Sequence, residues 1–365
     1  MCCLFGGRNG KEEVNFSYTL GALKGGRLHF GDDEMKNTEG QYSIAGVGSP
    51  VVDLVAQVPH AFLESIHGEK GGMELIEEEE FSMLLASLPH PPVSSPGGSA
   101  GNTTFALARL GVPSRFIGVI GDDVAGKYYL DAFALLGGDI SRFQVRKTMA
   151  TAQCLSLVTP DGERTMRTCL GAASSLSAAD ITAESFSGCN HVHIEGYLLF
   201  NPELMNHVLQ VAKQAGCTVS VDLASFEVVH AARGQLPELL AKYVDMVFAN
   251  EEEAEAYAGT ADSEICLELL GRCCSLTAIK YGAEGAVIRR GEQTCRVEAM
   301  SVDKVVDTTG AGDMWAAGFL YGLGGGRDLQ QCGRYGSILG AEVVQQQGTA
   351  IPENQWNLML KQLEV

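Results

Sequence analysis

From residue 42 onward, short apolar runs alternate with longer segments of helical periodicity, and this rhythm limits the folds open to the chain. Runs such as Met246 to Ala249 are apolar without a polar face, which is typical of strands buried on both sides. Segments such as Glu203 to Ala215 repeat apolar residues at helical spacing. The alternation predicts an α/β fold with a mostly parallel sheet and helices on both faces.

The predicted elements follow one another in this order. The strands expected in the sheet are Ser43 to Val47, Arg115 to Val119, His191 to Ile194, Thr218 to Val221, Met246 to Ala249, Leu276 to Ile279 and Ala286 to Arg289. The expected helices are Asn102 to Leu110, Val124 to Leu136, Glu203 to Ala215, Glu251 to Ala258, Leu267 to Cys273, Ala311 to Tyr321, Leu329 to Gln345 and Glu353 to Gln362.

Three segments depart from this rhythm. Residues 51–58 have strand character, and residues 151–168 predict two strands joined by a hairpin, since Asp161-Gly162 is a strong turn signal. Gly68 to Pro92 predicts a solvated helix and a proline-rich loop. Residues 1–40 are rich in glycine and charge and predict a flexible or loosely packed extension, in which Asn15 to Leu20 could add an edge strand.

The composition restricts the partners. The formal charge of −19 disfavours nucleic acid, whose binding depends on Lys and Arg neutralising phosphates, and it disfavours anionic membranes. No apolar run approaches the ~18 residues that span a bilayer. The 11 cysteines are scattered and odd in number, which favours reduced thiols in a cytoplasmic protein.

A carboxylate stands directly behind a turn of small residues that opens a predicted helix. The backbone N–H groups of Gly310, Ala311 and Gly312 can close on an anion, and the helix dipole adds positive charge there. Asp313 beside such an anion hole would repel a phosphate unless its task is to take a proton from an attacking hydroxyl. We therefore predict a general base, while an ordinary helix start with a favourable acid is the alternative.

Further polar residues follow predicted strands, where ligands of open α/β sheets bind. One carboxylate, Asp53, can accept hydrogen bonds from two neighbouring hydroxyls, although taken alone it fits a solvated turn. Gly97 and Gly98 allow a close backbone approach, and the Asn102 amide offers a donor and an acceptor. Alternatively, these three residues form only a loop and a helix cap.

Together these segments resemble the ribokinase family, the PfkB-type carbohydrate and nucleoside kinases. The stretch 306–319 is similar to the family's second signature, 97–111 to its first, and Asn250-Glu251-Glu252-Glu253 to its N-x-x-E motif. The resemblance implies a three-layer αβα sandwich over residues 41–363. It also implies a small discontinuous β lid from about 51–58 and 151–168.

The same resemblance implies roles for individual residues. Substrate binding is implied for Asp53, Gly97, Gly98, Asn102 and Glu195. ATP binding is implied for Asn250, Lys280, Gly282 and Gly285, although many relatives carry a small hydroxyl residue in place of the lysine. A water-mediated Mg²⁺ contact is implied for Glu253, and a monovalent cation such as K⁺ for Asp307 and Thr309.

The implied reaction transfers the γ-phosphoryl group of ATP to a primary hydroxyl of a ribose-containing substrate. Thr159 to Met166 and Leu170 to Ala172 are more similar to adenosine-kinase-type members than to fructokinases, so a nucleoside is the first expectation. A free sugar is the second, and a non-catalytic relative that only binds ligand is a third. The expected protein is a monomer or homodimer.

Overall fold

The computed structural model describes residues 42–363. The extension 1–40 and the edge strand proposed within it lie outside these residues. None of the helices described is long and apolar enough to cross a membrane. The strands are β1 (Ile44–Val47), β2 (Val51–Gln57), β3 (Met73–Leu75), β4 (Val93–Gly97), β5 (Ser114–Ile117), β6 (Val119–Gly121), β7 (Gln144–Arg146), β8 (Ala152–Val158), β9 (Arg164–Cys169), β10 (His191–Glu195), β11 (Thr218–Asp222), β12 (Met246–Asn250), β13 (Leu276–Lys280), β14 (Ala286–Arg290) and β15 (Gln293–Val297).

Helices connect most of these strands. They are α1 (His60–Glu64), α2 (Glu78–Ala86), α3 (Ser99–Arg109), α4 (Val124–Leu135), α5 (Pro202–Gln214), α6 (Phe226–Ala232), α7 (Leu236–Tyr243), α8 (Glu251–Ala258), α9 (Ser263–Gly271), α10 (Ala311–Gly324), α11 (Leu329–Val343) and α12 (Glu353–Leu363). Short 3₁₀ turns lie at Gly171–Ser175, Ala178–Asp180, Ala183–Phe186, Gly196–Phe200 and Gly282–Glu284.

Eight strands form the main sheet in the order β15-β14-β13-β12-β11-β10-β1-β5. The six strands from β13 to β5 are parallel, and β14 and β15 add an antiparallel edge. The sequence predicted seven of the eight. It missed β15 because Gln293–Val297 has mostly exposed residues and no apolar run.

Helices cover both faces of this sheet, as the unbroken apolar strands require. In β12, Val247 and Ala249 pack into the core under α5 to α9, whereas Met246 and Phe248 pack on the opposite face. That second core is closed by side chains of α3, α10, α11 and α12. The three-layer αβα architecture predicted from the sequence is therefore confirmed.

A second sheet has five strands in the order β3-β9-β8-β2-β4. The strands predicted at 51–58 and 151–168 form its centre. Residues 68–97 contribute its two edges, which the sequence did not predict, together with α2, the predicted solvated helix. Edge strand β4 reads Val-Ser-Ser-Pro-Gly, and Pro96 is tolerated there because an edge strand leaves part of its N–H groups unpaired.

Parallel pairing brings polar strand ends to one edge of the main sheet. Glu195 is paired in register with Asp222, and Asn250 with Lys280, each at the carboxyl end of its strand. Helices α3 and α10 begin beside the same edge and pack against each other. The candidate site lies where these strand and helix ends meet.

Candidate active site

The carboxylate of Asp313 is held in place by α3. Ser99 Oγ donates to Asp313 Oδ1 at 2.8 Å, and Asn102 Nδ2 donates to Oδ2 at 2.8 Å. Thr103 Oγ1 also donates to the backbone carbonyl of Asp313 at 3.0 Å. Each carboxylate oxygen therefore has one fixed donor, which sets the orientation of the acid in the first turn of α10.

The surroundings of Asp313 suit a base. Burial and the charge of Asp222 raise the pKa of this carboxyl to about 6, although hydrogen bonds from Asn102 and Ser99 and the charge of Lys280 act to lower it. A carboxyl with a pKa near 6 is ionised at neutral pH and binds a proton more readily than an ordinary aspartate. Asp313 is thus available for proton transfer rather than neutralised in an ion pair.

In the turn before Asp313, the N–H groups of the predicted anion hole are not all free to bind a ligand. The N–H of Ala311 donates to the carbonyl of Thr308 at 3.1 Å, so it is already engaged. Among the described residues, the N–H groups of Gly310, Gly312 and Asp313 have no hydrogen-bond acceptor. Gly310 has a φ of 72°, a left-handed conformation that favours glycine. Three amides are thus free to bind an anion, and one of them was not predicted.

A buried ion pair lies next to this turn. Lys280 Nζ donates to Asp222 Oδ2 at 2.8 Å, and their side chains are 11% and 6% exposed. A Cβ placed on Gly312 would lie 2.9 Å from the same Nζ, so the ammonium group lies beside the amides of the anion hole. Burial alone would lower the pKa of Lys280, but Asp222 and Glu253 raise it, which keeps the lysine charged.

Sequence reasoning missed Asp222, although a signal was present. This acid ends β11 at the same edge where the other polar strand ends were recognised. Its Oδ1 also accepts the N–H of Ala224 at 3.1 Å. Ala224 has a φ of 67°, the one non-glycine residue described with a left-handed backbone.

Asn250 and Glu253 form a reciprocal helix cap at the start of α8. Asn250 Oδ1 accepts the N–H of Glu253, and Glu253 Oε2 accepts the N–H of Asn250, both at 2.8 Å. Burial, with Asp222 nearby, raises the pKa of Glu253 to about 7. The structure therefore shows these two residues as a helix cap, and their roles in ATP and Mg²⁺ binding stay predictions.

No group of three or more His, Cys, Asp or Glu in residues 42–363 is placed to hold a metal ion. A directly bound magnesium ion therefore has no complete set of protein ligands here. A water-mediated contact fits better, because Glu253 is buried beside Asp222 at the edge where the polar strand ends meet.

Asp53 lies on β2, and its side chain borders the glycine pair. A Cβ on Gly97 would lie 2.2 Å from Asp53 Oδ2, and one on Gly98 would lie 2.1 Å from the Ser49 carbonyl. No residue within 42–363 donates a hydrogen bond to the Asp53 carboxylate. Burial raises its pKa to about 7, while the Arg164 charge lowers it. This acid is partly exposed and ready to accept hydrogen bonds from a ligand.

Glu195 has a different position from the one expected of a direct substrate ligand. Its Oε1 accepts the N–H of Ser49 at 2.8 Å, and its Oε2 accepts the N–H of Ala100 at 3.2 Å. The side chain is buried, and burial raises its pKa to about 7. Glu195 joins the loop after β1 to the start of α3 and holds these two backbone segments together. Direct contact with substrate stays a prediction.

Gly282 and Gly285 lie in the turn between β13 and β14, after Lys280. Gly285 has a φ of 89°, and a Cβ there would lie 2.0 Å from the Val297 carbonyl, so its small size is a packing requirement. A Cβ on Gly282 would meet nothing within 4 Å. The ATP-binding role of these two glycines stays a prediction.

Asp307 and Thr309 both accept hydrogen bonds from the side chain of Arg164. Arg164, on β9, donates through Nη1 to Asp307 Oδ1 and to Thr309 Oγ1. The N–H groups of Thr309 and Gly348 also donate to the two Asp307 oxygens, at 2.9 and 2.7 Å. The predicted K⁺ ligands thus do not form an open cation site. Sequence reasoning missed Arg164 because no local pattern links positions so far apart in the chain.

Tyr197 is an exposed aromatic residue near Glu195 and Asp313. Tyr197, in the turn after β10, is 41% exposed, and Phe200 and Phe226 are 60% and 42% exposed. Burial of its hydroxyl raises the pKa of Tyr197 above the ordinary range, with added repulsion from Glu195 and Asp313. The Tyr197 hydroxyl therefore lies toward the acids while part of the ring faces solvent.

This arrangement of a fixed carboxylate, free backbone amides and a buried lysine defines the class of the protein as an enzyme of phosphoryl transfer to an alcohol. The family model described as pfkB family carbohydrate kinase matches residues 73–356, more than half of the chain. The protein therefore belongs to the pfkB family of carbohydrate kinases. It is a phosphotransferase that uses a hydroxyl group as acceptor.

Individual relatives include nucleoside and sugar kinases. The crystal structure of adenosine kinase from Sinorhizobium meliloti is 34% identical, with a TM-score of 0.78, over 88% of this chain and 99% of that one. Adenosine kinase from Schizophyllum commune is 26% identical over 86% of this chain and 97% of its own. The 2-dehydro-3-deoxygluconokinase of Bacillus subtilis is 30% identical over 69% of this chain and 81% of its own.

Proposed function

We propose that the protein transfers the γ-phosphoryl group of ATP to a primary hydroxyl of a ribose-containing substrate, with a nucleoside such as adenosine as the first choice. The observation that carries this proposal is the placement of Asp313. Its two oxygens are fixed by Ser99 and Asn102. The free amides of Gly310 and Gly312 lie in the preceding turn.

Proton transfer follows from this geometry. The Asp313 carboxylate orients the acceptor hydroxyl and takes its proton as the new P–O bond forms. Ser99 and Asn102 keep the acid from rotating, which holds the hydroxyl in line with the phosphorus. The free N–H groups bind the phosphoryl oxygens, and Lys280 adds positive charge beside them.

On the nucleotide side, we assign the phosphates to the edge formed by Asn250, Lys280 and the Gly282–Gly285 turn. Bound Mg²⁺ would neutralise phosphate charge, and Glu253 would meet its water shell. Support comes from the burial of Glu253 and from the Lys280–Asp222 pair, which together place both signs of charge at this edge.

On the acceptor side, we assign the sugar hydroxyls to Asp53, the Gly97–Gly98 backbone and Asn102. The Asp53 carboxylate is free to accept two hydrogen bonds, and the backbone next to it carries no side chain.

We further propose that residues 41–363 act as one kinase domain and that the five-stranded sheet is the lid of the site. A lid excludes water that would otherwise accept the phosphoryl group.

A nucleoside is favoured by the exposed aromatic rings. Tyr197 offers a partly exposed face beside the acids, and stacking on an aromatic face is a common way to bind a base. The similarity to two adenosine kinases points the same way. A free sugar is the second candidate, because a sugar-acid kinase is also among the relatives.

Initial rates of ADP formation with a panel of nucleosides and free sugars test this assignment. We expect kcat/KM to be highest for a nucleoside. Replacing Tyr197 with Ala should lower kcat/KM for the nucleoside more than for ribose, while Tyr197→Phe should retain stacking. A higher kcat/KM for a free sugar, with no effect of Tyr197→Ala, would replace the nucleoside by a sugar.

A further inference from the structure

We infer that the Arg164 guanidinium replaces a monovalent cation beneath the anion hole, so that this kinase works without K⁺. The inference rests on the proposed function only for its activity assay. Its structural basis is the side chain of Arg164, on strand β9 of the second sheet. This side chain binds the Asp307 carboxylate and the Thr309 hydroxyl, the two groups predicted to hold the ion. Arg164 Nη1 donates to both Asp307 Oδ1 and Thr309 Oγ1.

Other contacts fix the guanidinium in that position. Ser156 Oγ, on the neighbouring strand β8, accepts from Arg164 Nε at 3.0 Å and from Nη2 at 2.7 Å. All three guanidinium nitrogens are therefore bound by groups from two parts of the fold. A planar, permanently charged group bound on several sides loses little further freedom when it pairs with a carboxylate.

Asp307 has little capacity left for an ion. Besides Arg164, its Oδ1 accepts the N–H of Thr309 and its Oδ2 accepts the N–H of Gly348. The Asp307 side chain is buried, and a buried carboxylate needs a paired cation, which Arg164 supplies.

A potassium ion at the same ligands would meet a like charge. Oxygen atoms of Asp307 and Thr309 already contact Nη1, so an ion bound to both would lie beside the guanidinium and be repelled. The two cations thus compete for one site. Because Arg164 is covalently part of the chain and is held by Ser156, it occupies the site without an ion having to bind from solution.

The position of the charge connects it with catalysis. Thr309 directly precedes Gly310, whose free N–H belongs to the anion hole. A cation at this position stabilises the negative charge that develops at the anion hole, and it holds the turn at Thr309 and Gly310 in its conformation. Arg164 is a positioning residue in this sense, since it acts through Asp307 and Thr309.

The wild-type enzyme gives the first test. Activity and the thermal unfolding midpoint are measured in KCl, NaCl and choline chloride at equal ionic strength, with potassium-free ATP. We expect neither value to differ between the salts. An increase of several-fold in kcat, or a higher unfolding midpoint, in KCl alone would overturn the inference.

The second test removes the Arg164 guanidinium from Asp307 and Thr309. Arg164→Ala should lower kcat by at least about tenfold, as expected for losing a charged hydrogen bond to a buried group. KCl, but not choline chloride, should restore part of this activity and raise the unfolding midpoint of the variant. Arg164→Lys keeps the positive charge and should stay insensitive to K⁺.

A matched control is Arg272→Ala, which removes an exposed arginine paired with Glu268 on the surface of α9. It should behave as the wild type in every salt. If Arg164→Ala is folded yet shows no response to K⁺ in activity or unfolding, the inference fails. If Arg164→Ala does not fold, the wild type and Arg164→Lys decide, because any potassium response in them contradicts the inference.

The unfolding measurement separates this inference from the proposed function. It needs no acceptor, so it stays informative if neither nucleosides nor sugars are phosphorylated. In that case the assignment of the substrate fails, while an unfolding midpoint that is independent of K⁺ in wild type and dependent on K⁺ in Arg164→Ala still supports the arginine as the resident cation.

Discussion

Asn102 donates its side-chain N–H to Asp313 Oδ2 at 2.8 Å, which ties the start of α3 to the first turn of α10. Asp313→Asn should therefore keep the fold but remove the base. We expect kcat to fall by about 10²- to 10⁴-fold, the usual contribution of a general base. ATP binding, measured by calorimetry, should be nearly unchanged. Asp131→Asn, which changes a partly exposed acid on α4 paired with Lys127, is the matched control. Near-normal turnover in Asp313→Asn would contradict the assignment of the base.

The pH dependence of kcat/KM should follow the ionisation of Asp313. With a pKa of about 6, Asp313 is ionised above that pH and protonated below it, so kcat/KM should fall as the pH drops through 6. Ser99 stabilises the ionised form by a hydrogen bond. Ser99→Ala should thus raise the pKa and move the acidic limb to higher pH. A profile whose acidic limb is the same in both enzymes would argue that another group titrates.

Stability should also depend on pH through Asp53. Its folded pKa is raised to about 7, above the ordinary value of an unfolded aspartate, so the folded state binds this proton more tightly. The stability it contributes is fully present below about pH 4 and is lost as the pH rises from there through 7. The unfolding midpoint of the ligand-free protein should accordingly fall between pH 5 and pH 7.

The variant Asp53→Asn removes this ionisation without breaking a hydrogen bond in the described residues. We expect a smaller decrease of the unfolding midpoint between those two pH values. Glu255→Gln, which changes an exposed acid on α8, should show the same slope of unfolding midpoint against pH as the wild type. An unchanged slope in Asp53→Asn would show that Asp53 is ionised at little cost in the folded protein.

The pair of Lys280 and Asp222 should show separate effects on stability and activity. Lys280→Met leaves a buried acid without its partner and should lower the free energy of unfolding by about 3–5 kcal/mol. The double variant Lys280→Met/Asp222→Leu should recover much of that stability but stay slow, since the charge beside Gly312 is lost. Denaturant unfolding and kcat measure the two effects.

A control for this pair is Lys213→Met, which breaks the more exposed pair with Asp245. It should cost less stability and leave kcat unchanged. If the double variant regains wild-type kcat together with its stability, Lys280 serves only to neutralise Asp222 and has no part in binding phosphate.

Local patterns in the sequence were sufficient for the αβα fold. The parallel strands were recognisable because they are buried on both faces and read as uninterrupted apolar runs, while β3, β4 and β15 are short or exposed and carry no such signal. Asp313 and its glycine turn were recognisable because all the groups involved are neighbours in the chain. Helix dipole, small residues and acid follow one another within four positions.

Only the tertiary structure decided which distant groups meet. Ser99 lies 214 residues from Asp313 in the chain, and Arg164 lies 143 residues from Asp307, so no periodicity or spacing connects them. Their contacts depend on how the two sheets and α3 pack around the strand ends. The sequence by itself therefore determined the elements and the candidate base, because those depend on short-range sterics and patterning. The donors that fix the base, the partner of Lys280 and the cation bound to Asp307 were decided by packing, because a buried charge is stabilised by whichever group the completed fold places beside it.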